Sequence, residues 1–429
     1  NVGEVKMRTS NLNVDNIVAV LANILYLIER LKFNVDRAFT YTCRKYQCRT
    51  SQFTREDLFN LAHNFVSMYI YIKSLSEVLG RKNLSYRMCA KLFLYMKLRE
   101  LGIPIPSKLS KAITRDFGKI DLDSITYKLE PWQRLSYPQW LYNELVKIMG
   151  IDETIRMLDA MNKRIVWLRI NTLRTDIDKA LRMLELENVE LEVNKRIPFI
   201  VKIVSSPKPP RELKIVKDGL AIIQDKASVL TVLAMDPKPY DLIYDFAAAP
   251  GIKTSLIMQL TENKANIIAF DRSPKRIASM KSLLKKYGVD TERIQIVLTD
   301  SRVVSLAKLA NIALVDAPCS SSGAIPKDPS IKLMLRNPNL PKKMHYIQVA
   351  LLKNALKYSE KVVYSTCSIL PTEGEEVIEK IINEIDVKLE DPGIPASKGY
   401  KQYSIWNKVR RTYPHTDECE GFFIAKIIS

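Results

Sequence analysis

Ile312-Ala313-Leu314-Val315-Asp316-Ala317-Pro318-Cys319-Ser320 is a short apolar run that ends in an acid and a thiol. Lys361-Val362-Val363-Tyr364-Ser365-Thr366-Cys367-Ser368 has the same form. Each run has the length and branching of a strand buried on both faces of a parallel sheet. Open α/β sheets bind ligands just past the carboxyl ends of their strands. Two thiols and one carboxylate are therefore expected at one crevice.

Working outward, further apolar strands are expected near 242–247, 266–270 and 295–298, with helical stretches near 252–260, 274–287 and 344–358. The final run from Gly421 to Ile428 reads as one more strand. This alternation predicts a doubly wound parallel sheet over residues 219–429. The turn after its first strand reads Asp245-Phe246-Ala247-Ala248-Ala249-Pro250-Gly251-Ile252-Lys253-Thr254. Small residues there let a cofactor approach the backbone. The turn lacks G-x-G-x-x-G, which disfavours a nicotinamide-dependent dehydrogenase. Asp271 closes the second strand, where a carboxylate can bind ribose hydroxyls, and Asp300 closes the third, within reach of an adenine edge. The ordered set fits a ribosyl-adenine ligand without a pyrophosphate, and S-adenosylmethionine is the candidate. Either acid taken alone could equally be a helix cap or a loop acid.

A chain of 429 residues is too long for one ordinary core. Its formal charge is +19, and the first 150 residues hold 23 basic against 13 acidic groups. Such an excess favours a polyanion partner and salt-sensitive binding, although a soluble basic protein would look the same. The six cysteines are irregularly spaced, so no disulfide framework and a reducing cytoplasm are expected. Cys43 and Cys48 read as ordinary helix residues. None of the three histidines lies near a cysteine pair at zinc-ligand spacing, so no metal is expected. The most apolar run, Ile17 to Ile28, is interrupted by Asn23 and too short to span a bilayer, and no signal peptide is read.

From Ser10 to Glu130 the pattern is helical. Ile17, Val20, Leu21, Ile24, Ile28 and Leu31 recur at helical spacing after Asn13 or Asp15, and further helices are expected over 54–78, 84–100 and 104–117. An all-α bundle over 1–128 follows. Its basic residues, among them Arg44, Lys45, Arg49 and Arg87, are interleaved with Tyr41, Tyr46 and Tyr86. That pattern suits RNA contact and also suits a solvated helix face. Residues 129–218 read as two helices, a strand over 165–170, a capped helix starting at Thr175-Asp176, and strands over 190–193 and 199–204, which make a small α+β module.

Several of these segments together resemble one family. They are Gln224-Asp225-Lys226-Ala227-Ser228, the turn from Asp245 to Thr254, Asp316 to Ser320, and Thr366-Cys367-Ser368 with Pro371 after it. The tail Arg411-Thr412-Tyr413-Pro414-His415 before Gly421-Phe422-Phe423 completes the set. The chain resembles the RsmB/Nop/NSUN group of S-adenosylmethionine-dependent RNA (cytosine-C5) methyltransferases. The likeness runs from residue 130 onward, and the helical part more loosely resembles the NusB-like domain fused to bacterial RsmB. It implies a NusB-like bundle (1–128), a small α+β RNA-binding module (129–218) and a catalytic Rossmann-like sheet (219–429). The family turn usually reads D-x-C-A-A-P-G-G-K-T, so Ala247 stands for its cysteine and Ile252 for its second glycine. Gly374 stands where asparagine is common.

C5 of cytosine is too electron-poor to attack a methylsulfonium directly. A thiolate adding at C6 makes the ring an enamine-like nucleophile, and an acid near N3 assists as charge develops. Chemistry alone does not say which cysteine attacks, and a free thiol is often only a buried core residue. The resemblance implies Cys367 as the nucleophile, Cys319 as the product-release thiol, Asp316 at N3, and Lys253 beside the base or Asp316. It also implies cofactor contacts from Ala247, Ala248, Ala249, Pro250, Gly251, Ile252, Lys253, Asp271, Arg276, Asp300 and Asp316. An exocyclic-amine methyltransferase would carry Asn/Asp-Pro-Pro-aromatic after its fourth strand, and Asp316-Ala317-Pro318-Cys319 does not match. The expected function is 5-methylcytosine formation in ribosomal RNA, with tRNA as second choice, by a cytoplasmic enzyme whose oligomeric state the sequence does not give, a monomer being favoured. The rival is a non-catalytic RNA-binding or ribosome-assembly factor on the same fold.

Overall fold

The structure is a computed structural model that describes residues 13–48 and 54–429. These fall into two compact units, one of residues up to Arg164 with Ile325–Pro338, the other of Ile165–Ala324 with Asn339–Ser429.

The first unit is helical. Helices occupy Val14–Leu31, Val35–Thr42, Arg55–Ser67, Tyr69–Val78, Tyr86–Glu100, Ser107–Phe117, Gln139–Met149 and Ile151–Ala160, with shorter ones between. The starts are set by side chains that accept orphan backbone N–H groups: Asn13 from Asn16, Asn34 from Arg37, and Thr54 in a capping box with Asp57. Val20, Leu21, Ile24, Phe65 and Phe93 anchor the core. The segment Ile325–Pro338 adds one more turn of helix, Ile331–Met334, and its Leu333 joins that core. Arg49 lies outside the described residues.

Cys43 and Cys48 correct the sequence reading, because they form a disulfide. Within a continuous helix, residues five apart are separated along the axis by about 7.5 Å, too far to bridge comfortably. Here the helix stops at Thr42, Cys43 is its cap, and the chain turns so that the two Cα atoms are 5.4 Å apart. The other described cysteines, Cys89, Cys319, Cys367 and Cys419, are free.

The second unit begins with a four-stranded antiparallel sheet in the order β2-β3-β1-β4, formed by β1 (Trp167–Ile170), β2 (Glu190–Val193), β3 (Ile200–Ser205) and β4 (Ala221–Ile223). The helix Ile177–Leu186, capped by Asp176, packs Ala180 and Leu184 onto Leu168, Ile170 and Val201. A nine-stranded sheet follows, with β5 (Leu242–Asp245), β6 (Asn266–Asp271), β7 (Ile294–Leu298), β8 (Ile312–Asp316), β9 (Lys361–Thr366), β10 (Lys388–Glu390), β11 (Ser397–Lys398), β12 (Arg410–Arg411) and β13 (Phe423–Ile428). Its heart, β9-β8-β5-β6-β7, is parallel, and β13 runs antiparallel beside β9. This is the expected Rossmann-like sheet, and its central strands β8 and β9 are buried on both faces as their unbroken apolar runs require, while the outer strand β7 is only partly buried.

Two helices of this unit were not foreseen. Lys226–Met235 is apolar nearly all round and so shows no periodicity, although Asp225 caps its start. Glu375–Glu384 follows a short turn at Pro371–Glu373. The smaller sheet is tied to the larger through Arg169, whose guanidinium is fully buried. It donates to Gln224 at 2.6 Å, to Ser255 at 2.7 Å and to Gln259. The Ile252 carbonyl at 3.4 Å is a fourth acceptor, all four are neutral, and burial lowers the pKa of this cation to about 9.

Candidate active site

The parallel strands deliver the site. Asp245, Asp271 and Asp316 are the last residues of β5, β6 and β8, Asp300 follows β7 by two residues, and Cys367 directly follows β9. The order of strands reverses between β5 and β8, which is where an open sheet leaves a crevice at its carboxyl edge. A cleft of about 320 Å³ lies there, lined by Ala249, Pro250, Asp271, Asp300, Asp316, Cys319 and Cys367 among others.

Both thiols are partly exposed, and their sulfurs are 3.2 Å apart. The hydrogen bond to Cys367, reinforced by burial, pushes the Cys319 thiol well above its ordinary pKa. Cys319 therefore keeps its proton at neutral pH. Lys253 Nζ donates to Asp316 Oδ2 at 2.7 Å, and Ser365 Oγ donates to Asp316 Oδ1 at 2.9 Å. The Lys253 ammonium also lies 5.4 Å from the centre of the Phe422 ring.

On the other side of the cleft, Asp271 accepts from the Ser273 N–H at 2.9 Å and pairs with Arg276 at 3.2 Å. Arg276 also donates to the carbonyl of Ala249. Arg302 Nε donates to Asp300 at 2.9 Å, and this contact lowers the Asp300 pKa to about 2. Asp300 is thus a charged acceptor across the neutral range.

Of the residues expected to touch a cofactor, Ala247, Ala249, Pro250, Asp271, Arg276, Asp300 and Asp316 line the cleft. Ala248 instead packs in the apolar core, and Gly251, Ile252 and Lys253 are not among the lining residues. Gly251 takes φ +95°, where a Cβ would sit 2.8 Å from Met280 Cγ. The helix begins at the next residue, so Ile252 has ordinary helical backbone and the missing second glycine leaves no strain. Asp245 was not anticipated as a special carboxyl. One of its oxygens accepts from Thr254 at 2.8 Å, the other is buried without a partner, and burial lifts its pKa to about 7.

Sequence reasoning also passed over Glu373, which is wholly buried and accepts hydrogen bonds from the residues following both thiols. It lies two residues past Pro371 in the acidic run Glu373-Gly374-Glu375-Glu376, where nothing in the sequence sets it apart from its neighbours.

A model of the 16S rRNA methyltransferase RsmB/F family matches residues 232–428, and a model of the ferredoxin-like domain of RsmF/B-like methyltransferases matches 137–207. The tRNA (cytosine(49)-C(5))-methyltransferase of Pyrococcus abyssi is 32% identical over 277 residues, covering 61% of this chain and 86% of that one. The chain belongs to the RsmB/F methyltransferase family. The 28S rRNA (cytosine-C(5))-methyltransferase of Mus musculus is 30% identical over 345 residues, 77% of this chain and 42% of its own. The chain thus spans less than half the length of the mammalian relatives it matches. Among solved structures, that of PH0851 is similar with a TM-score of 0.79 at 26% identity, over 98% of this chain and 100% of that one. Among the described residues no cluster of histidine, cysteine and acid side chains could hold a metal, and no helix is long and apolar enough to cross a membrane.

Proposed function

We propose that this RsmB/F-family chain is an RNA (cytosine-C5) methyltransferase that uses S-adenosylmethionine and a covalent cysteine adduct. The observation that carries the reading is the pair of free sulfurs 3.2 Å apart beside the Asp316–Lys253 ion pair, in the wall of one cleft. The residues present fit the cofactor. Asp271 offers an acceptor for ribose hydroxyls, the ionised Asp300 offers one for an adenine amine, and Ala249, Pro250 and Leu351 give apolar walls. The bound cofactor would supply an electrophilic methyl group.

In this reading Cys367 adds as a thiolate to C6 of the target cytosine while the Asp316 carboxyl, carrying a proton, passes it to N3 as charge builds on the ring, and Lys253 and Ser365 hold the carboxylate that results. C5 then accepts the methyl group. The C5 proton then passes to water, the C5–C6 double bond re-forms as the C6–S bond breaks, and Cys319, a protonated thiol at 3.2 Å, gives its proton to the leaving sulfur and regains one from solvent, while the N3 proton returns to Asp316. Ribosomal RNA is the first substrate class, since the matched model and the mammalian relatives are named for rRNA, and tRNA is the second. We place the reaction in the cytoplasm and assign the basic helical part a role in RNA binding.

The test is incubation of the protein with methyl-labelled S-adenosylmethionine and unmodified rRNA or tRNA, followed by nucleoside mass spectrometry. Appearance of 5-methylcytidine is expected. Cofactor binding without any methyl transfer to either RNA would favour the non-catalytic reading instead.

A further inference from the structure

Glu373 lies at the end of a short turn after β9, away from the cleft lining, and its side chain is completely buried. One carboxylate oxygen accepts from the Ser320 N–H at 2.7 Å and from Gln348 Nε2 at 3.2 Å. The other accepts from Ser320 Oγ at 2.5 Å and Ser368 Oγ at 2.6 Å. Ser320 follows Cys319, and Ser368 follows Cys367. The same Gln348 amide donates to the carbonyl of Pro318 at 3.0 Å. The Glu373 carbonyl in turn accepts from Tyr364 Oη at 2.8 Å, fixing the turn onto β9.

A buried carboxylate is costly unless its lone pairs are met, and four donors meet these. The geometry points to Glu373 as a positioning residue that clamps the two cysteine loops together and sets the distance between the sulfurs. Cys319 lies three residues past β8 and Cys367 one past β9, where pairing of the two strands has ended at Asp316 and Ser365. The Gly323 N–H to the Cys367 carbonyl at 3.0 Å and Ser322 Oγ to Ser368 Oγ at 2.9 Å also join the loops, while Glu373 bonds the residue that follows each thiol. The negative charge acts in the same direction, being one of the influences that keep Cys319 protonated. A glutamine can replace this group, because its amide can donate to the two serine hydroxyls, which rotate to accept, while its oxygen still accepts from the Ser320 N–H. An alanine leaves the donors unmet.

The inference rests on the proposed function only for its activity arm, and the deciding measurement reads sulfur geometry directly. Diamide takes the two hydrogens from a pair of adjacent thiols and is itself reduced to the hydrazine, leaving a disulfide. The linkage Cys319–Cys367 in the whole 429-residue chain is followed by peptide mass mapping. Glu373→Gln is expected to crosslink near the wild-type rate and Glu373→Ala about tenfold more slowly. In the methyltransferase assay Glu373→Ala should lower kcat with the KM for S-adenosylmethionine unchanged, and Glu373→Gln should restore most of it. Crosslinking of Glu373→Ala at the wild-type rate overturns the inference. If that variant does not fold by circular dichroism, Ser368→Ala decides: slower crosslinking supports the clamp and an unchanged rate removes it. Normal crosslinking behaviour with no methyl transfer by any form would remove the RNA-modifying reading and leave the clamp standing.

Discussion

The proposed division of labour between Cys367 and Cys319 is separable by single substitutions. Cys367→Ala is expected to abolish methyl transfer with S-adenosylmethionine binding intact by calorimetry. Cys319→Ala is expected to let a protein–RNA adduct accumulate, seen as a slow-migrating band on a denaturing gel, because the thiol that protonates the leaving sulfur is gone. An adduct from Cys367→Ala in place of Cys319→Ala would reverse the assignment. The two sequence segments disclosed that these residues sit at strand ends, but not that their sulfurs touch, since the loops beyond the strands are also tied by residues such as Glu373 and Ser322 that have no pattern of their own. A second single-residue effect concerns His63, buried in the helical unit with Nε2 unpartnered. Burial, with Arg164 and Lys332 nearby, lowers its pKa from 6.5 to about 3. The unfolded chain therefore binds the extra proton first, so this contribution to stability is complete above pH 6.5 and is lost as pH falls toward 3. Between pH 6.5 and 4.5 the wild type should lose about 2–3 kcal/mol through this group. His63→Gln should lack that component in denaturant titrations run across the same pH range, and identical slopes would refute the assignment.

At the level of single elements, the alternating strands of the larger sheet were legible because buried parallel strands need continuous apolar runs. β5, β6, β7, β8 and β9 all fall within a residue or two of their expected places. Helix Lys226–Met235 was not legible, since burial on every side erases the period that marks a helix. Cys43–Cys48 was missed because the end of a helix at Thr42, not the spacing of the two residues, brings them within reach. In the turn from Asp245 to Thr254 the work of a glycine falls to Gly251 alone. Adding a Cβ there meets Met280 at 2.8 Å and forces an L side chain into φ +95°. Gly251→Ala should therefore cost about 1–3 kcal/mol and weaken S-adenosylmethionine binding, measured by thermal unfolding and calorimetry. Ile252→Gly, which restores the commoner family spelling, should instead lower stability by about 1 kcal/mol with no gain in cofactor affinity, because Ile252 is already helical.

For the whole molecule, the sequence suggested parts laid end to end, whereas the helical unit recruits Ile325–Pro338 from between β8 and the helix Leu340–Lys357. No local pattern could reveal this. Lys332 reads as a surface lysine, yet it is fully buried, donating to the Ser67 carbonyl at 2.9 Å and to Asn162 at 2.5 Å, with its ammonium 4.0 Å from the centre of the Tyr137 ring. Leu335 is equally buried, and Trp140 Nε1 donates to its carbonyl at 2.5 Å. A chain shortened to begin at Ile165 would strip every one of these partners and leave Ile331, Leu333 and Leu335 facing water, an apolar patch prone to self-association. Such a chain is expected to elute as aggregates in size-exclusion chromatography. Replacing 325–338 in the shortened chain by a Gly/Ser linker should recover a monodisperse protein that still binds S-adenosylmethionine, since no residue of that segment lines the cleft. A shortened chain that stayed soluble with the segment intact would mean that Ile325–Pro338 does not depend on the helical unit for its burial.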